Sequence, residues 1–288
     1  MKATAKLTLA SVACWLTIPA HAQDFSAVEI ETLPVADGLF MLVGQGGNIG
    51  LSVGDDGAMI IDTQFAPLSE KIQDAAAAVG GDNVKFVINT HWHGDHTGGN
   101  ANFGNAGAVI MAHTNVRVRL AAADEADPAG FPEVIYPDRI SFFWNGDDID
   151  LIHVPPAHTD GDSIVHFTNL NAFHMGDTFF NGAYPFVDVD SAGSFDGVIA
   201  AGERVVELAD DQTTIIPGHG PLANKADLEE WLGILKTIRG RFQSLIDDGL
   251  SADEVVAAGV TSEWDEAMGA GFMNPENFTR LAYQSLTQ

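Results

Sequence analysis

Thr90-His91-Trp92-His93-Gly94-Asp95-His96-Thr97-Gly98-Gly99-Asn100 follows directly on Val84-Lys85-Phe86-Val87-Ile88-Asn89. The second of these segments is short, apolar and rich in β-branched residues, so it reads as a buried strand. The first packs three histidines and one aspartate into residues 91–96. Imidazole and carboxylate donors suit zinc, and iron and manganese accept the same set. Alternation puts His91 and His93 on one side of an extended loop, while Asp95 and His96 can turn to another. One segment can therefore feed two neighbouring metals. A solvated histidine-rich loop would explain a lone H-x-H. It explains H-x-H-x-D-H after a strand poorly.

Working outward, residues 28–43 read as one or two strands, and Asn48–Val53 and Ala58–Ile61 flank the turn Asp55-Asp56-Gly57 as a hairpin. A helix is expected over Leu68–Val79, closed by Gly80-Gly81. Beyond the histidine loop come a strand at Ala108–Ala112, a helix at Asn115–Ala123 and a surface loop at 124–138, with a lid as one candidate role. Strands then crowd together at Ile140–Trp144, Asp148–Val154, Ser163–Phe167 and Ala172–Met175. A helix at Phe195–Ala209 precedes a strand at Thr214–Ile216, and helical pattern fills 226–248, 251–257 and 275–286. Strand clusters interrupted by helices indicate a layered α/β architecture with two sheets.

Three more loops carry chemistry. His158 lies in Pro155-Pro156-Ala157-His158-Thr159-Asp160-Gly161-Asp162, Asp177 in His174-Met175-Gly176-Asp177-Thr178-Phe179-Phe180, and His219 in Ile216-Pro217-Gly218-His219-Gly220-Pro221. Asp62 ends an early strand in Ile60-Ile61-Asp62-Thr63. In this order, over residues 58–221, the motifs resemble those of the metallo-β-lactamase superfamily of metallohydrolases, with a bridging aspartate as in its glyoxalase II-like members. The resemblance implies an αβ/βα sandwich of four layers, with residues 23–225 as the catalytic domain and 226–288 as a helical extension packed on it. It implies two zinc ions. His91, His93 and His158 would hold the first, Asp95, His96 and His219 the second, and Asp177 would bridge them. Asp95 would be the catalytic residue, orienting a bridging hydroxide and shuttling a proton to the leaving group.

Departures from the family narrow the substrate. The zinc β-lactamases that use a cysteine ligand carry it where Asp177 stands, so this chain resembles them less. Quorum-quenching lactonases place a tyrosine three residues after the bridging aspartate, where Phe180 stands here. The resemblance implies hydrolysis of a carboxylic derivative: a β-lactam or other amide, a lactone, an ester or a thioester. The alternatives are a glyoxalase II-like thioesterase and an oxidoreductase of the mononuclear-iron persulfide dioxygenase type. A flavodiiron protein is disfavoured, because it normally has glutamate where His93 stands. Trp92, Phe179, Phe180, Tyr184 and Phe186 flank the ligand loops and are candidates for an apolar pocket. His113, Asp160 and Asp162 are candidates to orient the ligands. His153, His166 and His174 fall outside the ligand pattern.

Composition bounds the partners. The chain of 288 residues carries 13 Lys+Arg against 40 Asp+Glu, a net charge of −27. That balance argues against nucleic acid and leaves a small-molecule substrate. Lys2 and Lys6 precede the apolar stretch Leu7–Ile18, and Ala20-His21-Ala22 supplies small residues for cleavage before Gln23. Residues 1–22 therefore read as a signal peptide, and the destination as the periplasm or the exterior. Cleavage would remove the single cysteine, Cys14, and both lysines, taking the net charge from −27 to −29. No later segment is apolar enough for an integral membrane span. Nothing in the sequence indicates an oligomeric state.

Overall fold

The computed structural model describes residues 24–123 and 127–288. The expected signal peptide, Cys14 and the cleavage point before Gln23 lie outside the described residues. In the first half, β1 (Glu31–Ala36), β2 (Leu39–Val43), β3 (Ile49–Gly54) and β4 (Gly57–Ile61) form an antiparallel meander. Helix α1 (Ser69–Ala78) then crosses to β5 (Val84–Asn89), which pairs parallel to β4. After the short helices α2 (Gly94–Thr97) and α3 (Asn100–Asn105), β6 (Val109–His113) adds in parallel to β5. Helix α4 (Thr114–Ala122) leads to β7 (Val134–Tyr136), completing a sheet of seven strands in sequence order.

The second half begins with the antiparallel run β8 (Arg139–Trp144), β9 (Asp147–His153), β10 (Ser163–Phe167) and β11 (Ala172–His174). Helix α5 (Phe195–Leu208) crosses to β12 (Thr214–Ile216), parallel to β11, and β13 (Ala223–Asn224) closes this six-stranded sheet. Helices α6 (Lys225–Asp247), α7 (Ala252–Ala258), α8 (Asp265–Met268) and α9 (Pro275–Leu286) follow. Among the described residues no helix is long and apolar enough to cross a membrane.

Strand alternation generates the layers. Along β4, Ala58 and Ile60 face α1 and α3, while Met59 and Ile61 face the second sheet. Residues on β5 show the same division: Val87 points outward with Leu68, Ile72 and Phe103, and Ile88 points inward to meet Ile149, Leu151 and Val165. Lys85 is an extra residue on β5, because Ala58 pairs with Val84 but Met59 pairs with Phe86. Both faces of the first sheet are thus apolar and covered, as parallel pairing requires. On the outer face of the second sheet, Ile164, Phe173 and Ile215 pack with Val198 and Val205 of α5, Trp231 and Leu235 of α6, Val255 of α7 and Phe278 of α9. The order is helices, sheet, sheet, helices: the expected αβ/βα sandwich, with a helical C-terminal segment.

The structure corrects several local expectations. The 124–138 segment contains β7, so its second half belongs to the sheet; residues 124–126 lie outside the described residues. Its neighbourhood is fastened to the loop ends, where the Asn100 side-chain amide donates to the Gly130 carbonyl. Such a tie contradicts the lid reading for this part. Helices α2, α3 and α8 and strand β13 have two to six residues each, too short for periodicity to reveal.

Candidate metal centre

The site forms at one end of the sandwich, beyond the C-terminal ends of β4, β5 and β11. Residues 90–100 leave β5 and return so that the Asn89 and Asn100 side-chain amides each donate to the other's carbonyl, at 3.0 and 2.8 Å. This clamp closes the loop at its base. His93 is extended and caps α2, and Thr97 Oγ1 donates to its carbonyl. The helical turn that follows sets the donor atoms of Asp95 and His96 in a second group, with the His96 ring packed 4.1 Å from that of His91.

The seven expected donors converge as two groups. His91, His93, His158 and Asp177 form one, and Asp95, His96 and His219 the other; within each, the donor atoms lie within 4.8 Å of one another. Asp177 stands between the groups. One of its carboxylate oxygens, Oδ2, is 3.8 Å from His91 Nε2, 3.5 Å from His158 Nε2 and 3.4 Å from His219 Nε2. Its other oxygen, Oδ1, is 3.1 Å from His96 Nε2. Asp95 Oδ2 sits 3.4 Å from His219 Nε2 and 3.7 Å from His96 Nε2.

A partner on the far side of each ring determines which nitrogen faces the centre. His96 Nδ1 donates to Asp62 Oδ2 at 2.7 Å, leaving Nε2 inward. Thr90 Oγ1 donates to the same carboxylate and accepts from His91 Nδ1, so Asp62 orients two histidines. His158 Nδ1 donates to the Phe186 carbonyl at 2.7 Å. His93 is reversed: Nε2 donates to Asp188 Oδ2 at 2.9 Å, and Nδ1 lies 2.8 Å from His158 Nε2. Such outer partners fix tautomer and ring orientation in metal sites. Asp62 holds a left-handed backbone, φ 67°, which a non-glycine residue adopts only where its surroundings impose it.

Two glycines admit close approaches. A Cβ on Gly47 would lie 2.0 Å from the His96 ring, and one on Gly218 would lie 2.1 Å from Asp177 Oδ1. Asn48 ties these two loops together: its amide nitrogen donates to the carbonyls of Pro217 and Gly220. Asp188, Asn48 and the Phe186 carbonyl were not legible in the sequence. Asp188 differs from Asp190 by no spacing signal, and a backbone carbonyl leaves no residue signature at all.

Other candidates settle into structural roles. Asp160 is paired bidentately with Arg119, and Asp162 accepts from the Thr159 backbone and hydroxyl, so neither orients His158. His113 stacks on His153 with ring centres 3.7 Å apart, away from the ligands. His166 stacks on Phe173, and His174 Nε2 donates to the Asn48 carbonyl. Phe179 and Tyr184 are core residues, against Trp231 and Phe278 respectively. Phe180 and Phe186 do face the ligands, at His219 and His93.

Electrostatics separates the rings. Burial holds His91 well below the ordinary histidine value and takes His158 down to about 4. Burial acts on His96 and His219 too, but the Asp177 carboxylate overcomes it. His96 ends well above the ordinary value and His219 at about 9. Asp177, although buried, is held well below the usual carboxylate range by His96 and His219. Asp95 is lowered as well: burial would raise it, and the neighbouring His219 and His96 outweigh that.

The donor set fits a pair of divalent cations. His96 Nε2 and Asp177 Oδ1 are buried and face each other at 3.1 Å, while His91 Nε2 is buried with no hydrogen-bond partner among the described residues. Leaving such a ring nitrogen unpaired costs about 1–3 kcal/mol, so His91 Nε2 fits a metal-ligand role. All donors are nitrogen or oxygen, as zinc, iron or manganese accept.

Comparison with known proteins bears on the family and the fold. Residues 42–219, more than half of the chain, match the family model described as the metallo-beta-lactamase superfamily. The chain is 31% identical over 165 residues to a hydroxyacylglutathione hydrolase of Polaromonas sp. (strain JS666 / ATCC BAA-500), covering 55% of this chain and 57% of that protein. It is 27% identical over 184 residues to the 2,4-dinitroanisole O-demethylase subunit alpha of Nocardioides sp. (strain JS1661), covering 62% of this chain and 55% of that protein. The chain thus spans about half the length of these curated relatives. Among solved structures, a metallo-beta-lactamase from Pontibacter korlensis superposes with a TM-score of 0.63 at 17% identity, covering 72% of this chain and 99% of that one. An inverting sec-alkylsulfatase from Pseudomonas sp. superposes with a TM-score of 0.70 at 14% identity, over 90% of this chain and 50% of that one. At such identities the superpositions speak for the fold alone. The chain belongs to the metallo-beta-lactamase superfamily.

Proposed function

We propose that this member of the superfamily is a dinuclear zinc hydrolase acting on a carboxylic derivative: a β-lactam or other amide, a lactone, an ester or a thioester. The observation that carries this reading is the pairing of two complete donor groups around one shared carboxylate, Asp177. Two divalent cations there would supply an acidified water and an electrophile for the scissile carbonyl. The chain's own residues do the rest. Asp62, Asp188 and the Phe186 carbonyl hold the imidazoles in register, so little rearrangement accompanies binding. Asp95, ionised and 29% exposed, presents Oδ2 at the opening, where it accepts a proton from the attacking water and returns it to the leaving group. Phe180 and Phe186 cover the rings of His219 and His93 and keep bulk water from that side.

A mononuclear-iron oxidoreductase of the persulfide dioxygenase type keeps the same H-x-H-x-D-H segment with a single iron, and metal analysis with oxygen-consumption assays separates it from the hydrolase. A glyoxalase II-like thioesterase uses the same centre and differs only in what holds the rest of the substrate. Metal analysis of the purified protein, followed by hydrolysis assays on β-lactams, lactones, esters, thioesters and phosphodiesters, tests the proposal. Two zinc ions per chain and turnover of a carboxylic derivative are expected. Asp95→Ala should lower that turnover by at least about a hundredfold; unchanged turnover at full metal content would sink the mechanism. Export to the periplasm or beyond is part of the proposal and rests on Lys2, Lys6, the Leu7–Ile18 stretch and Ala20-His21-Ala22. Mass spectrometry of the secreted protein should show Gln23 as the first residue, and a retained Met1 would refute it.

A further inference from the structure

The centre opens to solvent beside His93, Asp95 and His219, the three donors that keep partial exposure. Aromatic rings crowd that opening. Phe180 stacks on His219, with ring centres 5.2 Å apart and planes 11° apart. Phe186 stacks on His93 at 5.8 Å, and Trp92 meets the same histidine at 4.9 Å. A further ring continues the row outward: Phe272, edge-on to Phe186 at 5.9 Å. Phe272 belongs to the segment between α8 and α9 and is 83% exposed, the most exposed large apolar side chain among the described residues. Scattered exposed phenylalanines are ordinary, but this one extends a ladder that begins on a ligand.

The same opening is poor in free cations. Eleven Lys and Arg occur among the described residues, the chain's 13 less Lys2 and Lys6. Only Arg119 comes near, 5.8 Å above Trp92, and its charge is committed to Asp160 through two hydrogen bonds of 2.7 and 2.9 Å. Lys85 sits at the opposite end of β5, and the others bind carboxylates or backbone carbonyls. An anionic substrate arm would find no partner here. An apolar arm would find four rings.

We propose that Phe272, with Phe186 and Phe180, forms a subsite for an uncharged, apolar substituent of the substrate, so that the C-terminal segment sets specificity. The inference rests on the hydrolase reading for its reaction, though not for its binding surface. Burying Phe272 against such a substituent recovers the area the folded protein leaves in water.

Two measurements on the metal-loaded, full chain test it. The first follows Trp fluorescence as straight-chain alcohols from ethanol to 1-octanol bind. Affinity should rise about three- to fourfold per added methylene. In Phe272→Ala the increment should fall to near unity beyond butanol, with octanol weakened about tenfold, and Phe272→Leu should restore part of it. The second compares kcat/KM across neutral acyl esters of the same chain lengths. Chain-length preference should flatten in Phe272→Ala through KM. Affinity indifferent to chain length, or unaltered by Phe272→Ala, would overturn the subsite. Intact alcohol binding without hydrolysis of any ester would overturn the reaction and leave the subsite standing. Unfolding midpoints should match throughout, because Phe272 holds no place in the core.

Discussion

The two donor groups share one carboxylate and are built in opposite ways. In the group of His91, His93, His158 and Asp177, burial dominates: His91 and His158 are pushed down and offer neutral nitrogen at neutral pH. In the group of Asp95, His96 and His219, carboxylates dominate, and His96 and His219 are pushed up. Two of this second group, Asp95 and His219, keep 29% and 31% of their side-chain surface. The first group is thus ready for a cation before one arrives. The second holds protons that a cation must displace. Identical ligand types therefore make two unlike sites, according to whether desolvation or Coulomb attraction wins.

Removing Asp177 tests that contrast most severely, since its oxygens reach both groups. Asp177→Ala should lose both ions, and metal analysis should find well under one per chain. Retention of a full ion in the first group would show that Asp177 serves the second alone. Acidity should then separate the groups. His219 is raised to about 9, so its attraction to Asp177 is fully present below the ordinary histidine value near 6.5 and is lost as pH rises through about 9. A cation competing with that proton should bind the second group about a hundredfold more weakly at pH 7 than well above pH 9, releasing protons as it binds. The first group should show little such dependence over that range. Buffer-dependent calorimetry measures both. Equal pH slopes would erase the distinction.

A smaller effect is expected at Asp188, which among the candidate donors hydrogen-bonds only His93 and otherwise caps Ser191. Asp188→Asn should weaken the first ion about tenfold or more and leave the second unchanged, as read in chelator titrations. Loss of both together would mean that the groups are cooperative rather than separate. Asp162 lies beside the first group but outside it, and its effect falls on the fold and not on the metal. Burial raises its carboxyl to about 7, so the folded chain holds a proton that the unfolded chain releases near 3.8. The metal-free protein should therefore lose stability as pH rises from about 4 to about 7 through this residue. Asp162→Asn should flatten that slope in denaturant midpoints; a slope unchanged by the substitution would return Asp162 to an ordinary turn residue.

Elements with strong periodicity were legible in the sequence: β5 over Val84–Asn89 matches its expected bounds, and α1, α5, α6, α7 and α9 shift by two residues or fewer. The convergence of the seven candidate donors was also legible, because each sits in a loop whose motif and order the sequence displays. What escaped were short pieces and long-range ties. Strand β7 holds three residues and is defined by its pairing with β6, not by its own pattern. Asp188 acts on a residue 95 positions away, and Phe272 gains meaning only when folding sets it beside Phe186. A single segment carries no trace of such partners.

The core that covers the outer face of the second sheet gathers residues from Val154 to Ala282. The corresponding core of the first sheet draws on Leu42 to Ile110. A chain emerging from its N-terminal side can close the first of these while most of the second is still unmade. Strands β8 to β12 are covered on that face in steps, by α5, α6 and α7 and last by α9. His91, His93, Asp95 and His96 belong to the half that closes early, and His158, Asp177 and His219 to the half that closes late. Each donor group draws on both halves, so neither is complete until residues of the second half have folded against the first.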